Sequence, residues 1–234
     1  MIAHSCSPNC WWTLTEDPSH SILIKSSMPI SAGDMITVCY SNQYSIFGTS
    51  KREEMFRSIG GFTCKCRRCL DPSELGSFSS GVLCEHCMTG YKLPVEPTEA
   101  LSQWKCDLCQ HTENSEIILT IVKALENRLY EIVGPEQGPP RSFEGEGGGV
   151  RVVQSLSRFL ENSKSLVHNN HWIVTQTEDQ IMKEWARDPD VRFGGSTPED
   201  IMISCEYFIS LCYHQLAVRN LVSPGLSFHR GKII

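Results

Sequence analysis

Three cysteines fall within six residues in Cys64-Lys65-Cys66-Arg67-Arg68-Cys69, a C-x-C-x2-C spacing. Thiolates held this closely are soft metal ligands, and structural zinc takes four Cys or His ligands in a tetrahedron. The segment is one ligand short. A candidate for the fourth lies upstream, in His4-Ser5-Cys6-Ser7-Pro8-Asn9. With Cys6 in the shell, one metal would clamp the start of the chain to its middle and close Asn9 to Phe62 into one loop of structure. Lys65, Arg67 and Arg68, interleaved with the cysteines, are read as offsetting the negative charge of a thiolate site.

A second set, Cys84-Glu85-His86-Cys87 and Cys106-Asp107-Leu108-Cys109, has the spacing C-x2-C-x18-C-x2-C. Each C-x2-C places two thiolates on one tight knuckle, and Gly90 and Trp104 suit a small two-hairpin ribbon. His86 and His111 are alternative ligands, although four cysteines already fill a shell. Reduced core thiols are the plainer alternative for both sets, but they leave the paired spacing unexplained. Two zinc ions are therefore expected. His168-Asn169-Asn170-His171 has neither Cys nor acid beside it and is read as a turn between helices.

The chain has 234 residues, of which 40% are hydrophobic and 12 are cysteine, and a formal net charge of −6. That length suits one sizeable domain or two smaller ones. The negative balance argues against a nucleic-acid binder, as does the ribbon, where Lys92 and Lys105 face Glu85, Glu96, Glu99 and Asp107. The sequence has no apolar secretory leader and no apolar run near membrane-spanning length. Clustered C-x2-C pairs without such a leader point to metal rather than disulfides, hence to a reducing intracellular compartment, cytoplasm or nucleus.

The elements that must position these cysteines are short strands, then helices. Ser21–Lys25 reads as a short buried strand and Met35–Tyr40 as a second, separated by a turn at Pro29–Asp34. Ser50 and Glu53 have the capping-box spacing, predicting a helix over Lys51–Ser58 that ends at Gly60-Gly61. Ile117, Ile118, Ile121, Val122, Leu125 and Leu129 recur at helical spacing. Residues 134–149, rich in Gly and Pro, predict a flexible loop. Val152–Leu160 and Trp172–Trp185 predict two more helices. A last helix has Thr197 as cap, Pro198 in its first turn and Glu199 and Asp200 at its positive end, and runs to about Leu221.

His4-Ser5-Cys6-Ser7-Pro8-Asn9 resembles the end of the N-H-S-C-x-P-N motif of SET-domain lysine methyltransferases. Ala32-Gly33-Asp34 followed by Ile36-Thr37-Val38-Cys39-Tyr40 resembles the motif that closes that domain. Phe62-x-Cys64-x-Cys66-x2-Cys69 resembles the post-SET segment. The order and intervals are similar to the SMYD family, nearest to its arthropod-type members, and the likeness extends over the C-terminal helices, with Pro224-Gly225 and Arg230-Gly231.

The resemblance implies an α+β chain. Residues 1–58 would be the C-terminal part of a SET domain, 59–75 a post-SET zinc segment and 76–112 a zinc-ribbon-like segment. Residues 113–234 would be an all-α helical domain carrying the 134–149 loop. It further implies methyl transfer from S-adenosylmethionine to a protein lysine, histone or non-histone, with Tyr40 at the lysine channel. His4 would contribute to the cofactor pocket, Phe62 would pack on the cofactor or wall the lysine channel, and Cys6, Cys64, Cys66 and Cys69 would hold the post-SET zinc. The helical domain would bind partner proteins.

Two departures accompany it. Ala3 stands where the family has a cofactor-binding asparagine. The family's glycine-bearing cofactor strand and MYND module precede the histidine motif, so this chain is expected to be a fragment lacking half of that pocket. The competing reading is a non-catalytic, zinc-stabilised interaction module with a degenerate SET domain.

Overall fold

The computed structural model describes residues 2–15, 21–41, 45–134, 148–193 and 198–222. Strand β1 (Ala3–His4) pairs in parallel with β4 (Thr37–Val38), in the register Ala3 to Thr37 and His4 to Val38. Between them β2 (Cys10–Leu14) and β3 (Ile22–Ser26) form an antiparallel hairpin. Asn9 holds the two layers together. Its Oδ1 accepts from the Thr37 amide at 2.9 Å, and its Nδ2 donates to the Met35 carbonyl at 2.9 Å. Asn9 is thus a clip between distant segments.

Two strand expectations need correction. β3 is not buried: Ile22 and Leu23 are 63% and 41% exposed. An apolar run alone does not say which layer covers it, and among the described residues β3 pairs with β2 alone. The second strand shrinks from Met35–Tyr40 to two residues, because its partner β1 is only two residues long and the Tyr40 amide is used by the His4 ring.

Helix α1 (Thr49–Ile59) starts earlier than predicted and is not capped by Ser50. Gly48 is the N-cap, and its backbone passes so close to Ser80 Oγ that a Cβ there would collide with it. The Thr49 amide is satisfied instead by Glu74 Oε1 at 3.1 Å and Ser80 Oγ at 3.2 Å. Glu53, expected to complete a capping box, is buried and accepts from the Cys64 amide at 2.9 Å. After α1 come the short α2 (Arg67–Leu70) and a tight turn around Asp71, whose carboxylate accepts from the Ser73 and Leu75 amides.

A four-stranded antiparallel sheet follows: β5 (Val82–Leu83), β6 (Tyr91–Pro94), β7 (Trp104–Cys106) and β8 (Thr112–Glu113), adjacent in that order. The remainder is helical: α3 (Ser115–Val133), α4 (Gly148–Lys164), α5 (Trp172–Arg187), α6 (Pro189–Phe193) and α7 (Pro198–Val222). Asn114 caps α3, accepting from the Glu116 amide. α4 begins inside the stretch predicted as loop, at Gly148; residues 135–147, and the proposed cap Thr197, lie outside the described residues.

One core joins sheet to helices: Val82 and Trp104 pack with Ile118, Leu156, Leu160, Trp172 and Ile173. His168 and His171 form the turn before α5, as expected, and the His171 side chain caps that helix, Nδ1 accepting from the Ile173 amide at 3.2 Å. Among the described residues no helix is long and apolar enough to cross a membrane.

Candidate functional site

Cys6, Cys64, Cys66 and Cys69 converge, as do Cys84, Cys87, Cys106 and Cys109; within each group the sulfurs lie within 4.8 Å of one another. Cys6 Sγ is 3.9 Å from Cys64 Sγ and 3.5 Å from Cys69 Sγ. In the ribbon, Cys84–Cys109 and Cys87–Cys106 are 3.6 and 3.7 Å apart. Zn–S bonds of ~2.3 Å in a tetrahedron place sulfurs about 3.8 Å apart, so both donor sets fit zinc in number, softness and spacing. Four sulfurs so close cannot all ionise without a cation. Their mutual hydrogen bond pushes the Cys64 thiol down and the Cys6 thiol up, and a divalent ion removes that conflict.

Local geometry serves the sulfurs. The residue after the second cysteine of each ribbon pair is left-handed, Met88 at φ 58° and Gln110 at φ 65°, which folds each pair into the same knuckle. Cys87 Sγ accepts from the Gly90 amide at 3.3 Å, and Cys106 Sγ from the Cys109 amide at 3.5 Å. A Cβ on Gly90 would stand 2.6 Å from Cys106 Sγ, so the sulfur fits only against glycine. His86 and His111 stack on each other with centroids 4.9 Å apart and belong to neither sulfur cluster.

Of the cations between the cysteines, Arg67 donates to Ser7 Oγ at 3.0 Å, and Arg68 donates to the Ser45 carbonyl at 2.6 Å and to Ser79 Oγ at 3.3 Å. Arg52, from α1, reaches the cluster directly: its Nη2 donates to Cys69 Sγ at 3.3 Å. Arg52 and Arg68 are fully buried and share Glu74: Arg52 Nη1 lies 2.6 Å, and Arg68 Nη2 3.3 Å, from Glu74 Oε2. Burial pushes the Glu74 carboxyl up, but the two guanidiniums outweigh it and hold it below the usual range. Burial and neighbouring Arg52 push Arg68 down to about 10, leaving it charged at neutral pH. The two positive charges against one carboxylate would be complemented by a zinc–tetrathiolate, formally −2. This cluster escapes sequence reasoning because buried charges are rare; its only signal is that Arg52, Glu53 and Phe56 share the buried face of α1.

Beside the Cys6 cluster stands an aromatic wall. The His4 centroid is 5.0 Å from Tyr40, 4.7 Å from Phe56 and 5.9 Å from Phe62, and Phe56 stacks on Phe62 at 5.0 Å. Tyr40 is 44% exposed, and its hydroxyl donates to the Ile2 carbonyl at 2.7 Å. Ala3 lies in β1, with only a methyl group to offer. His4, Tyr40 and Phe62, distant in sequence, therefore come together; Phe56, the buried backing of the wall, was not anticipated. Both His4 nitrogens are committed, Nδ1 accepting from the Tyr40 amide at 3.2 Å and Nε2 lying 3.3 Å from Cys6 Sγ. The chemistry of these residues fits the apolar side of S-adenosylmethionine, with any polar contact from position 3 or 4 left to the main chain. A separate cavity of about 380 Å³ opens between α1 and the helices, lined by Glu53, Trp104, His171 and Trp172 among others; the wall is not part of it.

No protein-family model matches the chain. Among curated proteins it is 29% identical over 112 residues to SET domain-containing protein SmydA-8, isoform B, of Drosophila melanogaster, and 26% identical over the same length to isoform A. Each match covers 47% of this chain, and 24% and 23% of those proteins. The chain thus spans about a quarter of the curated relatives it matches. Over that stretch the chain is similar to these SET domain-containing proteins.

Proposed function

We propose that the chain carries the zinc-stabilised, lysine-facing part of an S-adenosylmethionine-dependent protein-lysine methyltransferase. The observation that carries this reading is the convergence of His4, Tyr40 and Phe62 on the Cys6 cluster, in a chain related to SET proteins. S-adenosylmethionine, when bound, supplies an electrophilic methyl group on a sulfonium.

The chain's own residues handle the amine. A lysine attacks only as the neutral amine and only when aligned. The Tyr40 hydroxyl spends its hydrogen on the Ile2 carbonyl, so it meets an amine as an acceptor and orients an N–H through a lone pair. Phe62, stacked on buried Phe56, gives the aliphatic lysine chain a firm apolar surface and keeps water from that side. The two metal centres fix the backbone behind this wall and the ribbon beyond it. Protein substrates and partners belong to the same reading, as does a thiol-reducing compartment, cytoplasm or nucleus.

Calorimetric titration of the full-length protein with S-adenosylhomocysteine tests the proposal. Binding, with Tyr40→Phe lowering turnover far more than cofactor affinity, is the expected result. Absence of binding would overturn the enzyme reading in favour of a non-catalytic, zinc-stabilised interaction module.

A further inference from the structure

The His4 side chain touches both the sulfur cluster and the Tyr40 backbone. Its Nδ1 accepts from the Tyr40 amide at 3.2 Å. In a neutral imidazole that places the ring hydrogen on Nε2. Nε2 lies 3.3 Å from Cys6 Sγ and is thus a donor directed at that sulfur. The ring is held in this pose by Tyr40, Phe56 and Phe62, with centroids 5.0, 4.7 and 5.9 Å away.

A thiol sulfur is a poor acceptor, whereas a metal-bound thiolate takes N–H donors readily, and such donors orient the ligand. On the other side of the same cluster Arg52 donates to Cys69 Sγ at 3.3 Å. Two of the four sulfurs therefore carry an outer donor from a different element, one from β1 and one from α1. Only the His4 donor continues to the aromatic wall.

We infer that His4 is a positioning residue that couples the Cys6 metal centre to Tyr40, its Nε2–H holding the Cys6 thiolate and its Nδ1 holding the Tyr40 amide. This rests on the metal reading of the cluster and on Tyr40 as part of a substrate wall, and it assigns His4 a role through its neighbours rather than a contact with the methyl group. The metal centre then sets where Tyr40 stands. Loss of metal frees the Cys6 sulfur, the ring loses its anchor, and the Tyr40 backbone loses its acceptor.

The two halves of the bridge can be separated. Asn at position 4 can place an amide oxygen near the Nδ1 position but reaches no further. Gln can place an amide NH2 near the Nε2 position but leaves the Tyr40 amide unserved. Phe keeps the ring packing and removes both.

The experiment uses protein loaded with 113Cd in place of zinc, with two readouts. One is chelator competition followed on the cadmium resonance of each centre, the ribbon centre serving as internal control for folding. The other is hydrogen exchange of the Tyr40 amide. His4→Phe should weaken metal at the Cys6 centre about 10- to 100-fold and speed Tyr40 exchange at least about tenfold, with the ribbon centre unchanged. His4→Gln should restore metal retention but not Tyr40 protection, and His4→Asn the reverse. Unchanged metal retention and exchange in His4→Phe would overturn the coupling, as would identical behaviour of the Gln and Asn variants. No tetrathiolate resonance from the Cys6 centre in the wild type would overturn the metal reading itself. Failure of S-adenosylhomocysteine to bind, with both couplings intact, would remove only the methyltransferase reading.

Discussion

Glu74→Gln removes the carboxylate that, among the described residues, pairs with both Arg52 and Arg68 while changing almost nothing in shape. Both guanidiniums and Glu74 are at most 1% exposed, so water cannot replace the lost charge. Breaking a buried ion pair on one side costs about 3–5 kcal/mol. That is a large share of the ~5–15 kcal/mol that holds an ordinary domain together. The amide oxygen of Gln can still accept from the Thr49 amide, so the helix start survives, and the measured loss reports the charge together with the acceptor that Arg52 Nη1 loses where the NH2 group stands. Glu74→Ala also removes one of the two acceptors of the Thr49 amide and should lose up to about 1 kcal/mol more, the usual worth of a cap.

The assay is urea denaturation of the zinc-loaded protein, followed by tryptophan fluorescence. The pH dependence adds a second test. The Glu74 carboxyl is held below its ordinary value of 4.5 despite its burial, because Arg52 and Arg68 outweigh the desolvation. Its contribution is fully present above pH 4.5 and is lost as pH falls through the folded-state value. The gap between wild type and Glu74→Gln should therefore be constant near neutrality and narrow in acid. A loss below about 1 kcal/mol at pH 7, the worth of an exposed surface pair, would refute the reasoning.

Gly90→Ala should weaken metal at the ribbon centre and leave the Cys6 centre untouched, because its Cβ would fall 2.6 Å from Cys106 Sγ; equal retention at both centres in a two-site chelator titration would contradict this. His171 is fully buried, and burial pushes its pKa down to about 3. The unfolded chain therefore binds a proton that the folded one refuses between pH 6.5 and about 3, and stability falls with falling pH by about 1.4 kcal/mol per unit. His171→Asn keeps an acceptor for the Ile173 amide but cannot titrate, so its denaturation midpoint should vary less over that range; parallel pH profiles would refute this.

The two cysteine clusters and the helices were legible in the sequence because their signals are local. The C-x2-C knuckles are fixed by spacing, and α3, α4 and α5 by an apolar period of 3.6 that the shared core largely uses, although Ile117 of α3 is exposed. What sequence could not show depends on residues far apart along the chain. Ser50 and Glu53 have a capping-box spacing, yet α1 starts earlier because Glu74 and Ser80, more than twenty residues on, serve the Thr49 amide. The β3 run is apolar but exposed, since burial depends on which layer covers a strand. The meeting of Arg52, Arg68 and Glu74 is not legible in the sequence, because nothing in their own neighbourhood shows that they will be buried together. At the aromatic wall, the positions of His4, Tyr40 and Phe62 followed from a resemblance. The backing ring, Phe56, followed from neither motif nor spacing.

The central claim is that Cys6 closes a metal site with Cys64, Cys66 and Cys69 and so carries the wall beside it. Elemental analysis of purified protein tests this most directly, comparing wild type with Cys6→Ser, Cys66→Ser and Cys10→Ser, the last a buried cysteine outside both clusters. The account predicts two zinc ions per chain in wild type and Cys10→Ser, and one in both Cys6→Ser and Cys66→Ser. Two zinc ions retained in Cys6→Ser, with one lost in Cys66→Ser, would contradict it.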